Sequence, residues 1–176
     1  MSDAAGKYAR FEYERRFLAT HLPPGIDESE GWLITDRYIE NTRLRLRRQE
    51  PLGGGTTVYK LGQKEAPAPP DFSRTTITNI YLSPDEYDVF AALPARVLQK
   101  RRLRFHEDGR ALSVDVFEAP LAGLILAEVT FETLDDMRRE PQLPRWVSRE
   151  VSDDARFTGA ALAALPPDQL AGLIRA

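Results

Sequence analysis

The chain of 176 residues is 42% hydrophobic and 29% charged, proportions that fit a single soluble globular domain spanning residues 1–176. It has no cysteine and only two histidines, His21 and His106, which excludes disulfides, thiolate chemistry, cysteine-held metals and multi-histidine metal sites. The net charge of −3 argues against a general nucleic-acid coat, and no run reaches the ~18 apolar residues of a membrane span, so a cytoplasmic protein without membrane contact is expected.

Along the chain, the alternation of apolar and polar residues predicts strands at about 10–18, 36–48, 57–63, 73–82, 97–106, 111–118 and 123–132. PLGGGTT at 51–57 reads as a hairpin loop, and the proline-rich EAPAPPD at 65–71 as a second breaker within the same domain. Ser83 before Pro84, Asp85 and Glu86 is a helix N-cap. A short helix is expected at 134–140, another around TGAALAAL, and a closing one after Pro166-Pro167. Strands that mostly follow one another pair most simply as antiparallel neighbours.

The charges on those strands are unusual. Successive side chains of a strand point to opposite faces. Glu12, Glu14 and Arg16 therefore share one face, as do Arg43, Arg45 and Arg47, then Lys60, Gly62 and Lys64, then Lys100, Arg102 and Arg104. Ser113 and Asp115 follow, and Glu128, Thr130 and Glu132 complete the set. Between Asn41 and Lys64 six basic residues face a single acidic one, Glu50, which makes the polar face strongly cationic there. Like charges at i and i+2 repel unless an anion lies between them. A polyanion with divalent metal satisfies both groups, the basic residues gripping phosphate oxygens and the carboxylates holding the metal. Closing the sheet into a barrel brings all of them around one lumen.

EYERRFL (Glu12–Leu18) resembles the E-x-E-x-K signature that opens the CYTH, or triphosphate tunnel metalloenzyme, family. The similarity continues in order through LRLRRQ, YKLGQK, KRRLRF, VDVFEAPLAGLILAEV and PRWVSREVSDDARFTGAALA, over about residues 10–165. The resemblance implies a mainly β (α+β) fold, an eight-stranded antiparallel β-barrel tunnel with flanking helices. It implies a triphosphatase, a hydrolase of phosphoanhydride bonds, with Mg2+ or Mn2+ as cofactor and a triphosphate-containing small molecule as partner. On this basis Glu12, Glu14, Asp115 and Glu128 are expected to hold metal. Arg45, Arg47, Lys60, Lys64, Arg74, Lys100 and Arg102 are expected to bind phosphate, and Arg16, Lys64 and Glu128 to take catalytic roles. The charged faces should point into the tunnel and the apolar faces outward against helices. A homodimer is carried as a further expectation; nucleic acid is not an expected partner.

The chain departs from the family pattern in three places. Arg16 replaces a lysine, exchanging a compact ammonium for a planar fork. Thr76 and Thr78, on Arg74's face, stand where glutamates are frequent, and Thr130 replaces the second glutamate of a pair with Glu128. Fewer carboxylates leave a non-catalytic polyphosphate- or nucleotide-binding module as an alternative; class IV adenylate cyclase-like and thiamine triphosphatase-like enzymes are others. His106 in a turn, His21 before two prolines, Gly53–Gly55, and Trp32 and Trp146 as packing residues offer no competing chemistry.

Overall fold

A computed structural model describes residues 9–67, 71, 73–107, 109–139 and 145–175. The described residues form nine strands: β1 (Arg10–Ala19), β2 (Gly31–Ile39), β3 (Leu44–Pro51), β4 (Val58–Glu65), β5 (Arg74–Leu82), β6 (Ala95–Glu107), β7 (Arg110–Phe117), β8 (Ile125–Phe131) and β9 (Val147–Glu150). Every pairing is antiparallel, in the order β5-β4-β3-β2-β6-β7-β8-β1-β9. Strand β1 also pairs with β5, so eight strands close a barrel and β9 is an addition to it. The fold is the expected one.

Strand β1 makes the closure. One of its edges lies against β8 from Tyr13 to Ala19. The other edge is divided, with β5 opposite Arg10–Tyr13 and β9 opposite Phe17–Ala19. Between those two partners, Glu14 N–H donates to the Ser73 carbonyl at 2.8 Å and Arg16 N–H to the Ser152 hydroxyl at 2.9 Å. The backbone groups at the seam thus stay satisfied where the strand changes neighbour.

The expected strand at 36–48 is in fact two. Asn41 takes a left-handed backbone conformation (φ 59°), and the chain reverses between Ile39 and Leu44. Asparagine tolerates that region better than other non-glycine residues. The Thr42 hydroxyl fixes the turn by donating to the Ile39 carbonyl at 2.9 Å. The strand before it starts at Gly31, so Trp32–Thr35 belong to the barrel as well.

Helix α1 (Pro84–Ala91) starts as expected. The Ser83 hydroxyl accepts from Glu86 N–H at 3.2 Å, and the Glu86 carboxylate accepts from Ser83 N–H at 2.7 Å. Its Tyr87 and Phe90 cover Ile39, Leu46, Tyr59 and Leu61 on the outside of the barrel. A second outer apolar face, with Leu103, Val114, Ala127 and Val129, is covered by Leu22, Ile26 and Trp146 rather than by a helix. Helix α2 (Leu134–Arg139) is exposed and buries no residue. The third core differs from the expectation that helices cover only outer faces. Leu18, Leu98, Phe117 and Leu126 belong to inward-facing sets, and they pack against Phe157, Leu162, Leu170 and Leu173. Those four come from a 3-10 turn (Ala155–Phe157), helix α3 (Gly159–Ala163) and helix α4 (Leu170–Arg175). The C-terminal segment therefore plugs one end of the barrel. No helix among the described residues is long and apolar enough to cross a membrane.

Candidate active site in the barrel lumen

Residues directly opposite in an antiparallel pair project to the same face. The observed register therefore decides which side chains enter the lumen. Glu14 stands opposite Thr130, Arg16 opposite Glu128, Arg102 opposite Asp115, Arg47 opposite both Asp36 and Lys60, and Glu12 opposite Thr75. These strands enclose a cavity of about 560 Å³. Glu12, Glu14, Arg16, Arg45, Arg47, Lys60, Lys64, Lys100, Arg102 and Glu128 all line it. Ten of the expected site residues thus meet in one space, although they come from five strands. Phe157, Thr158, Gly159 and Leu162 of the plug form its closed end.

Two expected site residues are placed differently. Arg74 pairs opposite Tyr13 and stacks on Phe11, with its guanidinium 5.0 Å from the ring, on the outside of the barrel. The inward residues of β5 are Thr75, Ile77 and Asn79, so Thr76 and Thr78 face outward with Arg74. The register of Thr75 against Glu12 fixes that facing, and β5 brings no carboxylate to the lumen. Asp115 does point inward, but it lies beneath the cavity lining at 0% exposure. Arg102 grips it with two hydrogen bonds of 2.6 Å, and Lys100 pairs with it too. Thr130, opposite Glu14, is exposed and outside the cavity lining.

The lumen is a lattice of opposite charges. Lys64 Nζ lies 2.7 Å from Glu12 and 3.4 Å from Glu14. Arg16 donates to Glu14 at 2.5 Å and to Glu128 at 3.2 Å. Arg102 pairs with Glu128 as well as with Asp115. Arg47 makes a two-pronged contact with Asp36, both bonds at 2.7 Å, and Arg45 Nε lies 3.7 Å from the same carboxylate. That Nε is buried without a hydrogen-bond partner among the described residues. Lys60 has no carboxylate within ion-pair distance among the described residues; its ammonium lies 5.1 Å from the Tyr81 ring. Arg45 and Lys60 are thus the cations least committed to protein partners.

These contacts set the ionisation of the site. Burial favours the neutral form of Glu128, but Arg102, Lys100, Arg16 and Lys64 outweigh it and hold the carboxylate well below its usual range. Burial is likewise opposed at Asp36, where Arg47 and Arg45 keep the carboxylate ionised. Lys100 moves the other way. Its burial, helped by repulsion from Arg102 and Arg47, exceeds the attraction of Asp115 and lowers its pKa. The Tyr38 phenol, buried beside Asp36, is pushed up to about 12 and stays a neutral hydroxyl.

Asp36 and Tyr38 line the cavity and were not expected there. The alternation in WLITDRYI carries both on one face, and a strand begun at Gly31 instead of 36 would have exposed it. The plug helices were expected around TGAALAAL and after Pro166-Pro167, but their seat in the end of the barrel is a non-local packing fact that no local pattern carries. Gly159 is needed within the plug, because a Cβ there would lie 1.9 Å from the Tyr38 hydroxyl.

The donor set suits a hard divalent cation only in part. Among the described residues no three acidic or histidine side chains converge on one point as a ready-made cage. Glu12 and Glu14 do converge on one cation position, now taken by the Lys64 ammonium, and Arg16 joins Glu14 to Glu128. That arrangement fits magnesium, which commonly uses one or two carboxylates and completes its shell with water and phosphate oxygens.

No family model and no curated protein matches the chain. Among solved structures it is similar to the inorganic triphosphatase NE1496, at 24% identity and a TM-score of 0.60 over 89% of this chain and 96% of that one. A second structure of NE1496 gives 24% identity and a TM-score of 0.58 over 88% and 98%. A candidate adenylate cyclase from Bacillus halodurans is similar at 14% identity and a TM-score of 0.51, over 78% of this chain and 96% of that one. The shared feature is the closed barrel.

Proposed function

We propose that the protein is a triphosphate tunnel enzyme that binds and hydrolyses inorganic tripolyphosphate or another compact triphosphate. One observation carries this reading: six basic side chains, Arg45, Arg47, Lys60, Lys64, Lys100 and Arg102, converge with Glu12, Glu14 and Glu128 in a single cavity. No neutral or cationic ligand accounts for so many inward cations. The plugged end suits a short anion over a threaded polymer, and the likeness to NE1496, named an inorganic triphosphatase, agrees with it.

In this reading Arg45 and Lys60, the least committed cations, meet the anion first. Phosphate oxygens then replace carboxylates as partners of Lys64, Arg102 and Lys100. The released Glu12, Glu14 and Glu128 are left to hold Mg2+ or Mn2+, which when bound neutralises phosphate charge and acidifies a coordinated water. Phosphoryl transfer depends chiefly on positioning and on stabilising the charge spread over the transferred group. Rigid cations on several barrel strands provide both without covalent chemistry. Phosphate release from tripolyphosphate, ATP and thiamine triphosphate, each with magnesium and with manganese, tests the proposal. Tripolyphosphate turnover is the expected result, and no turnover of any of the three overturns it.

A second reading has a specific observation behind it. Glu12, Glu14 and Glu128 are all ion-paired, and neither β5 nor Thr130 adds a carboxylate to the lumen. A polyphosphate- or nucleotide-binding module would keep the cations and lack turnover. Such a protein binds tripolyphosphate equally well with metal chelated and releases no phosphate over hours.

A further inference from the structure

Among the described residues, Arg16 is the one lumen cation whose guanidinium reaches three separate parts of the chain. Nη2 donates to Glu14 at 2.5 Å, on its own strand. Nε donates to Glu128 at 3.2 Å, across on β8. Nη1 donates to the Phe157 carbonyl at 3.0 Å, in the plug. Its backbone repeats the link, since Arg16 N–H donates to the Ser152 hydroxyl and Val151 N–H donates to the Arg16 carbonyl. The residue is 8% exposed. A planar fork can span three acceptors lying in different directions, whereas an ammonium presents its donors from a single point at the end of a flexible stem.

We propose that Arg16 is a positioning residue that fixes Glu14 relative to Glu128 and locks the C-terminal plug to the barrel wall, without touching the phosphates. This deepens the functional reading above and rests on it for the role of the two glutamates. An arginine stays protonated, so it supplies no base, and a cation cannot ligate a metal. The hydrogen bonds of its fork run to protein acceptors, in contrast to Arg45, whose buried Nε has none among the described residues. Arg16 thereby makes the geometry of the carboxylates depend on the plug: a shift of Phe157 is transmitted through one rigid group to both glutamates.

The test compares wild type with Arg16→Lys and Arg45→Lys. Hydrogen exchange of the amides in 151–163 reports the lock directly and needs neither ligand nor turnover. Arg16→Lys should raise exchange there about tenfold or more, and Arg45→Lys should not. Calorimetry of tripolyphosphate with metal chelated should give Arg16→Lys an affinity within about twofold of wild type. Magnesium titration should show about tenfold weaker binding for Arg16→Lys. In steady-state assays its kcat should fall more than its KM rises, with partial rescue at high magnesium. Unchanged exchange in 151–163 would falsify the lock. A tenfold loss of metal-free tripolyphosphate affinity makes Arg16 a phosphate ligand and overturns the proposal. If wild type turns over no triphosphate, the functional reading fails by itself, while the exchange and affinity measurements still decide the role of Arg16.

Discussion

Asp36 is 1% exposed and holds Arg47 through two hydrogen bonds, with Arg45 close by. Replacing it with asparagine leaves two cations in a buried site without their counter-charge. Removing one partner of a buried pair costs roughly 3 kcal/mol or more. Asp36→Asn should therefore unfold at clearly lower denaturant concentration, and tripolyphosphate, supplying the missing negative charge, should restore more stability to it than to wild type. The pH dependence has a definite sign. The carboxylate titrates lower in the folded chain than in the unfolded one, so its contribution is complete above about pH 4 and declines as pH falls below that value. Acid unfolding of Asp36→Asn should lack that component, which melts between pH 2 and 6 would read out. Glu128→Gln probes the other half of the site. Gln keeps the size of the side chain but removes the charge that binds Arg102, so metal-free tripolyphosphate binding should hold or tighten. Metal-dependent hydrolysis should fall about 100-fold, roughly 3 kcal/mol of transition-state stabilisation. Equal rates for Glu128→Gln and wild type would remove Glu128 from the carboxylate site.

At the scale of elements, period-two alternation was enough to assign the inward faces of β1, β3, β4, β6 and β8, because in each the lumen charges alternate with large apolar residues such as Tyr13, Leu46, Leu61, Leu103 and Val129. It failed on β5, where RTTITNIYL offers threonines on both faces and one arginine to suggest a direction. Only the pairing of Thr75 with Glu12 decides the matter, and pairing across the barrel is a non-local fact. Arg74 consequently fell on the outside. The β2–β3 hairpin was hidden for a different reason. Its turn has no glycine or proline, and the reversal depends on one asparagine in a left-handed conformation. Strand β9 is only four residues long and sits against an edge that β5 leaves vacant, so nothing local marks it. Asp36 was missed with the hairpin, since it lies in the strand whose start was misplaced.

For the whole molecule, the plug joins stability to the shape of the site. Phe157 is 1% exposed, packs within the core of the closed end, and also lines the cavity. Phe157→Ala should cost about 3–5 kcal/mol in a denaturant melt. It should also loosen discrimination between tripolyphosphate and longer polyphosphates, because a cavity opens where the barrel is now stopped. Comparing hydrolysis or binding of the two chain lengths in this variant and in wild type checks the second effect; unchanged selectivity would show that the plug does not set length.

The divided edge of β1 governs when the protein can fold. Residues 10–19 are synthesised well before β8 and β9, which pair with most of the strand; Arg16 and its partner Glu128 are separated by 112 positions. Until those later segments are synthesised, β1 lacks its β8 and β9 neighbours. Such distant pairing makes for slow folding and a long exposure to wrong partners. The charges on Glu12, Glu14 and Arg16 then act as a guard, keeping the waiting strand from pairing with a copy of itself. Two of these residues, Glu12 and Glu14, are also the ones proposed to hold metal, so the same charges would serve the strand before the barrel closes and the lumen afterwards.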